Sequence, residues 1–414
     1  MGLIIDARKD IVMNKKAGIF AVAGRAKEAI AKHGADAVIN SSLGNGMDDK
    51  GKLFIIPSFV KALKDLIDGD PRVITGYTPP GGLAALNVNY PKYILKGVDM
   101  PDDLAVRCIP THGGSGGLMV SILNLAAGTV VSHLPYWPNY NLICKQNGRK
   151  ITGFNLLDED LDFDIADFEK VATKTSEDEG RLFCIMNSPY SNPTGSSLTE
   201  AEWLQMGEVL KKLKGEKTIV LDLAYVDFGP NGKDPADLAF LPKLFDIAPD
   251  LNVVMVPSIS KAFMAYGFRL GAAILLSRDK EEADHWWNVM EGTTRGSNSN
   301  NCTIAQQALN RVFESDELTA GVEKERNEIN KVIQERISVF SEEAKKAGLK
   351  ISKPTGGYFT MVYVKNPGEV AAKLEEKNVF TVPIAQPEGL RVSICALSVS
   401  QCKRLVAEIA SVAG

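Results

Sequence analysis

Val253-Val254-Met255-Val256-Pro257-Ser258-Ile259-Ser260-Lys261 is followed, eight residues after the lysine, by Arg269 within Gly267-Phe268-Arg269-Leu270-Gly271. The first five residues form a short apolar run, rich in β-branched side chains and closed by proline, and read as a buried strand. A lysine and an arginine just past a strand end, among serines and glycines, suit an anionic carbonyl compound. The amine can form a Schiff base, and the guanidinium and hydroxyls can hold a phosphate. Standing alone, the segment also fits a solvated lysine in a polar loop, so the surrounding chain has to decide.

Outward from this point, short apolar strands alternate with helical patterns. Strands are expected at 105–109, 129–134, 182–186, 218–223, 252–257 and 271–276, with helices at 118–127, 200–214 and 280–290 between some of them. Ser197-Leu198-Thr199-Glu200 reads as a capping box ahead of an apolar helical face of Trp203, Met206, Leu210 and Leu213. Such alternation predicts an α/β domain with a mostly parallel sheet. From about Asp316 the pattern changes to a long charged helix over 323–347. After it come a strand at 357–364, a helix near 368–377, strands near 379–382 and 390–394, and a last helix from Ser400. That reads as a smaller α+β domain. The first 55 or so residues, with a helix at about 24–32, hold too little core to stand alone and are expected to pack on the C-terminal domain. The expected division is therefore 1–55, 56–320 and 321–414.

The 414 residues suggest roughly two or three domains. A 45% hydrophobic and 24% charged composition is that of a globular protein. With a net charge of −4 there is no basic field for nucleic acid. Six scattered cysteines without a C-x-x-C pair, and only four histidines, do not suggest a zinc or disulfide framework. Met1-Gly2-Leu3-Ile4-Ile5-Asp6 turns charged too early for a signal peptide and lacks the Ser or Thr at position 6 of a myristoylation signal. The longest apolar stretch, 116–131, is interrupted by Ser121, Asn124 and Gly128 and is too short to span a bilayer. The expectation is a cytoplasmic protein with no membrane and no nucleic-acid partner.

Several further segments carry chemistry. Asp222 ends an expected strand, where open α/β sheets bind ligands, and Tyr225 follows three residues on. Pyridoxal phosphate combines a carbonyl with a phosphate, and a carboxylate at this point would keep its pyridine nitrogen protonated. Asp-x-x-Tyr on its own equally describes a turn cap. Asn187-Ser188-Pro189-Tyr190-Ser191-Asn192-Pro193-Thr194-Gly195 is a rigid, non-helical turn compatible with cis peptides, and it can aim the Asn192 amide at a ring oxygen. Thr111-His112-Gly113-Gly114-Ser115-Gly116-Gly117 leads from strand to helix, where backbone N–H groups and the Ser115 hydroxyl can meet a phosphate. It also matches G-x-S-x-G, the nucleophile elbow of serine hydrolases. The bases available to Ser115 would be His133 or His285, and neither is placed like a triad base. Trp137, in Trp137-Pro138-Asn139-Tyr140, can stack on a planar ring.

Taken in order, these motifs resemble those of the fold type I pyridoxal-phosphate aminotransferases, most of all the aspartate/aromatic group, from about Ile39 to the C-terminus. The resemblance implies a seven-stranded, mostly parallel sheet flanked by helices, plus a smaller α+β domain. It implies Lys261 as the Schiff-base lysine and proton shuttle, Asp222 as the pyridinium partner, and Tyr225 and Asn192 on the ring oxygen. Gly114, Ser115, Ser258 and Arg269 match the phosphate cup, and Trp137 the stacking residue. Tyr77, in Gly76-Tyr77-Thr78-Pro79-Pro80-Gly81-Gly82-Leu83, matches a tyrosine that reaches the neighbouring subunit's phosphate. Arg391, in Leu390-Arg391-Val392-Ser393, matches the arginine that grips the substrate α-carboxylate, and Gly44 lines that pocket. Arg295 matches an arginine that crosses a dimer interface to a side-chain carboxylate. The implied activity is ping-pong transfer of an amino group between an amino acid, aspartate first and aromatic second, and a 2-oxo acid such as 2-oxoglutarate, by a homodimer with shared sites. A lyase or decarboxylase of the same fold is the competing reading. Three departures stand out: Tyr140 where the family usually has a histidine that supports the aspartate from behind, Gly113 where a serine or similar residue is usual, and Asn300-Asn301-Cys302 where Pro-Pro is typical.

Overall fold

The computed structural model describes residue 11 and residues 18–413; Met1 to Asp6, discussed above for targeting, lie outside it. The strands in chain order are β1 (Ile39–Asn40), β2 (Ala105–His112), β3 (Thr129–Leu134), β4 (Lys150–Asn155), β5 (Arg181–Met186), β6 (Glu216–Asp222), β7 (Leu251–Val256), β8 (Leu270–Ser277), β9 (Phe359–Tyr363), β10 (Val379–Phe380), β11 (Val382–Ala385) and β12 (Glu388–Ser393). Seven of them form one sheet in the order β2-β8-β7-β6-β5-β3-β4. All its strands are parallel except β8, which runs antiparallel to both neighbours. The expected mostly parallel sheet flanked by helices is what the chain forms. Strands β5 to β8 are almost wholly buried, as apolar runs without alternation require when helices cover both faces.

The reversal of β8 sets where the functional side chains meet. The connection after β7 turns back on itself instead of crossing the sheet, so β7 ends at the edge where β8 begins. Ser258, Lys261 and Arg269 therefore share that edge. The register of β2 with β8 pairs His112 with Leu270 and Thr111 with Gly271. This brings the glycine run that opens the helix Gly113–Leu125 beside Arg269. β6 ends at Asp222 along the same edge, and the turns after β5 and β3 carry Asn192 and Trp137. One sheet edge thus collects residues separated by more than 150 positions in sequence.

The second sheet, β11-β12-β9, is antiparallel and packs with the helix Pro367–Glu376, which meets the last helix Val399–Val412, itself packed on the long helix Asp316–Lys346. The N-terminal segment joins it: β1 pairs in parallel with β10, Ile39 opposite Val379. Ser393 on β12 receives further tethers, its amide donating to Ser41 O at 3.1 Å and its hydroxyl to Leu43 O at 2.7 Å. From the long helix, buried Arg336 donates to the carbonyls of Met47 at 2.8 Å and Cys395 at 2.9 Å, and pairs with Asp49 at 2.8 Å. These bonds hold the 41–49 segment over β12, which carries Arg391.

The helix Glu200–Lys212 corrects one sequence reading. Its cap is Thr199 with Glu202, a capping box one step later than Ser197 to Glu200. Ser197 instead accepts the amide of Tyr190 at 2.8 Å, which ties down the turn after β5. Trp203 on the buried face of this helix stacks on Phe240 with centroids 4.2 Å apart. Thr199→Ala removes the hydroxyl's two bonds, to the amide and the carboxylate of Glu202, while leaving that core contact intact. It is expected to cost about 1 kcal/mol, measurable as a lower urea midpoint.

Candidate active site

A cavity of about 1000 Å³ opens at the C-terminal edge of the large sheet. Lining it are Lys261, Asp222, Tyr225, Asn192, Trp137, Gly114, Ser115, Ser258, Arg269, Gly44 and Arg391, residues picked from widely separated motifs. Tyr77 and Arg295 are not among the lining residues. Tyr77 is 93% exposed, and Arg295, in the last turn of the helix Lys280–Ser297, is exposed and donates to the hydroxyl of Ser299.

Charge dominates this cavity. Lys145, Lys261, Arg269 and Arg391 line it, and among the described lining residues Asp222 is the one carboxylate. Burial pushes Asp222 up from the usual carboxylate value, while the Tyr140 hydroxyl, the Lys261 ammonium and the Ala224 amide act against that. Burial lowers Lys261, with Asp222 opposing and Arg269 adding to the effect. An amine held below its ordinary value is more available as a nucleophile and base. Arg391 is buried and lowered by burial to about 10, so it stays charged at neutral pH. Its Nη1 lies 3.5 Å from Asn192 Oδ1, its Nη2 donates to Ser42 O, and its Nε has no partner. A buried guanidinium without a carboxylate costs several kcal/mol, which a carboxylate ligand would offset.

The opposite end forms an anion cradle. Arg269 adopts a left-handed backbone conformation (φ 52°), and its Nη1 donates to Tyr266 O at 2.8 Å and to Ser260 Oγ at 3.3 Å. Ser258 caps the short helix Ile259–Ala262 by accepting the Ser260 amide. Gly113 has a φ of +70°, and a Cβ there would stand 2.4 Å from Arg269 Nη2. The guanidinium therefore lies directly on the start of the helix Gly113–Leu125, whose amides face the same space. This accounts for glycine at the position where the family usually has serine. Ser115, as a hydrolase nucleophile, would need an imidazole, and none lines the cavity among the described residues. His133 instead accepts the Asn187 amide at 3.3 Å, in the interior.

Between the two ends, Asn187 fixes the turn that carries Asn192. Its side chain donates to Asp222 O at 2.9 Å and accepts the Asn192 amide at 2.7 Å. The turn contains the cis peptides Ser188-Pro189 and Asn192-Pro193 that its sequence allows. Burial raises the Tyr225 phenol far above its ordinary value, and Asn192 beside it pulls the other way. Phe359 and Tyr266 also line the cavity and were not singled out from sequence. Phe359 places its ring 4.7 Å from the Arg391 guanidinium, and a Cβ on Gly44 would stand 2.6 Å from that ring. Only the spatial neighbourhood of Arg391 identifies Phe359, since a strand phenylalanine carries no motif.

Residues 37–409 match the family Aminotransferase class I and II, and the chain belongs to that family. It is 25% identical over 311 residues to the aspartate aminotransferase of Salmonella typhi, over 73% of this chain and 75% of that one. An aminotransferase structure from Anaerococcus prevotii superimposes over 100% of both chains with a TM-score of 0.92 at 29% identity. The aromatic-amino-acid aminotransferase of Burkholderia pseudomallei, a structure with covalently bound pyridoxal phosphate, covers 100% of both chains with a TM-score of 0.80 at 24% identity. The cradle beside Gly113, the lysine and the buried carboxylate fit that cofactor. Gly113→Ala is expected to displace Arg269 and weaken pyridoxal-phosphate affinity about tenfold or more, read by fluorescence titration of the cofactor-free protein.

Proposed function

We propose that this protein is a pyridoxal-phosphate-dependent aminotransferase that takes aspartate as first amino donor, aromatic amino acids as second, and a 2-oxo acid such as 2-oxoglutarate as acceptor. The observation that carries this reading is a cavity whose cations exceed its single carboxylate, with a lysine between an anion cradle and a buried arginine. The bound cofactor supplies a carbonyl that captures amino groups and a pyridinium ring that draws electrons from the substrate Cα.

In this reading Asp222 holds the proton on the ring nitrogen, and Tyr225 and Asn192 face the ring oxygen. Trp137 covers one face of the ring. Gly114, Ser115, Ser258 and Arg269 hold the phosphate. Arg391, with Asn192 and Gly44 beside it, takes the substrate α-carboxylate in a two-pronged geometry that lysine does not reproduce. Lys261 first holds the cofactor and then moves the proton at the substrate Cα. Residues 56–320 form the cofactor-binding domain, while 1–55 and 321–414 bring Arg391 and Gly44 to it.

The reading includes a cytoplasmic homodimer with shared sites. Exposed Tyr77 and Arg295 would serve the second copy, Tyr77 at its phosphate and Arg295 at a substrate side-chain carboxylate. Among the described residues no helix is long and apolar enough to cross a membrane.

Lys261→Ala is expected to lower aspartate–2-oxoglutarate turnover by at least about 10³-fold while the folded protein still takes up cofactor. Turnover near that of the unaltered enzyme would remove the assignment. Arg391→Lys is expected to raise the KM for amino acids by about tenfold or more, with kcat less affected. Strict dependence of turnover on an oxo acid separates this activity from that of a lyase or decarboxylase of the same fold.

A further inference from the structure

Two loops far apart in sequence, 76–83 and 298–303, meet on buried polar side chains. Thr78, Asn301 and Gln306 are buried, and none of the three lines the cavity. The Gln306 amide nitrogen donates to Thr78 Oγ1 at 3.1 Å and to Asn301 O at 3.2 Å, and its oxygen accepts the Leu83 amide at 3.1 Å. Thr78 Oγ1 also accepts from Asn300 Nδ2 at 3.1 Å and donates to Asn301 O at 3.4 Å. Asn301 Nδ2 donates to Pro110 O at 2.7 Å, and its Oδ1 accepts from Asn298 Nδ2 at 3.3 Å. Every polar side-chain atom of the three thus has a partner, as a buried network needs in order to be rigid. Thr303 Oγ1 ties the start of the first loop by donating to Gly76 O at 2.9 Å. A Cβ on Gly82 would stand 2.4 Å from Pro110 Cγ, so this loop also presses against β2.

Each loop carries one exposed side chain beside this network. Tyr77 directly precedes Thr78. Arg295 donates to Ser299, whose left-handed backbone (φ 71°) leads into Asn300 and Asn301. The family typically has Pro-Pro in that stretch, and proline offers no side-chain donor. The bonds to Thr78 and Pro110 therefore come from this chain's own departure. We infer that Thr78, Asn301 and Gln306 are positioning residues that lock the Tyr77 and Arg295 loops into one unit and so set the dicarboxylate preference of the second copy's site. The inference rests on the reading of a homodimer with shared sites. A swinging arginine loses conformational freedom when it meets a carboxylate, whereas one on a held loop has lost part of it beforehand. The gain falls on substrates with a second carboxylate, because only these meet Arg295. It falls in the other copy, although the network is anchored on its own chain, at β2 three residues before Gly113.

The test uses hybrid dimers with one working site. A Lys261→Ala chain has no catalytic amine, so paired with an unaltered chain it leaves a single site, in the unaltered chain, served by Arg295 of the Lys261→Ala chain. Gln306→Met keeps the side-chain volume and removes its three bonds. It is placed on one chain or on the other. On the Lys261→Ala chain it is expected to raise the KM for aspartate about tenfold, and the KM for phenylalanine by about twofold or less. On the chain with the working lysine it is expected to leave both KM values within about twofold of the unaltered hybrid. Equal effects from the two placements, equal effects on the two substrates, or no effect from either would assign the network to packing alone and overturn the inference. If Gln306→Met does not fold, Asn301→Ala, which loses the bonds to Pro110 and Asn298, takes its place with the same comparisons. A monomer in solution, or an unaltered dimer that turns over neither amino acid, overturns the proposed function and the inference with it.

Discussion

An excess of positive charge in a partly enclosed cavity is the constraint on which this structure depends. Lys261, Arg269 and Arg391 face one carboxylate, Asp222. Removing such charges from water costs several kcal/mol each unless they are paired. The surrounding chain limits that cost by giving them backbone oxygens and hydroxyls. Arg269 is held by Tyr266 O and Ser260, and Arg391 by Ser42 O. What remains is an attraction for a ligand with an anionic group at each end, one at the cradle and one at Arg391. A phosphorylated aldehyde carrying an amino acid has that charge layout.

The fold supplies the geometry through a single reversal. Because β8 runs against its neighbours, the lysine and the arginine of one short segment both stay at the sheet edge where β6 ends in Asp222. The register of β2 with β8 then brings the glycine run to Arg269. The smaller sheet contributes from the other side. β12 carries Arg391, and Arg336 together with Ser393 holds the Gly44 segment against it. The cavity groups thus come from two sheets, and Arg391 stands on the smaller, antiparallel one.

Much of this was legible in the sequence. The strand leading to Lys261 showed as an apolar run, and β3 showed at its full extent, 129–134. Strand β4 was missed because Lys150-Ile151-Thr152-Gly153-Phe154-Asn155 starts on a charge, has glycine at its centre and forms the sheet edge. The helix Gly113–Leu125 starts well before the expected 118, since the glycines that look like loop form its first turn. Helix propensity gave way there to the register of β2 and the packing of Arg269 on Gly113. Motifs found Lys261, Asp222, Asn192 and Arg391, each near a strand end or turn. Tyr140 meets Asp222 across 82 positions, Tyr266 accepts the Gly46 amide across 220, and Phe359 meets Arg391 from another strand; local spacing does not encode these.

The central claim is that the cavity binds pyridoxal phosphate at Lys261 and transfers an amino group to it. The most direct measurement is the absorption spectrum of the cofactor-loaded protein before and after adding aspartate, with no oxo acid present. The account predicts that the visible band of lysine-bound cofactor is lost while an equivalent of oxaloacetate is released. An unchanged band with aspartate and with every other amino acid supplied, or no cofactor band after reconstitution, would contradict it.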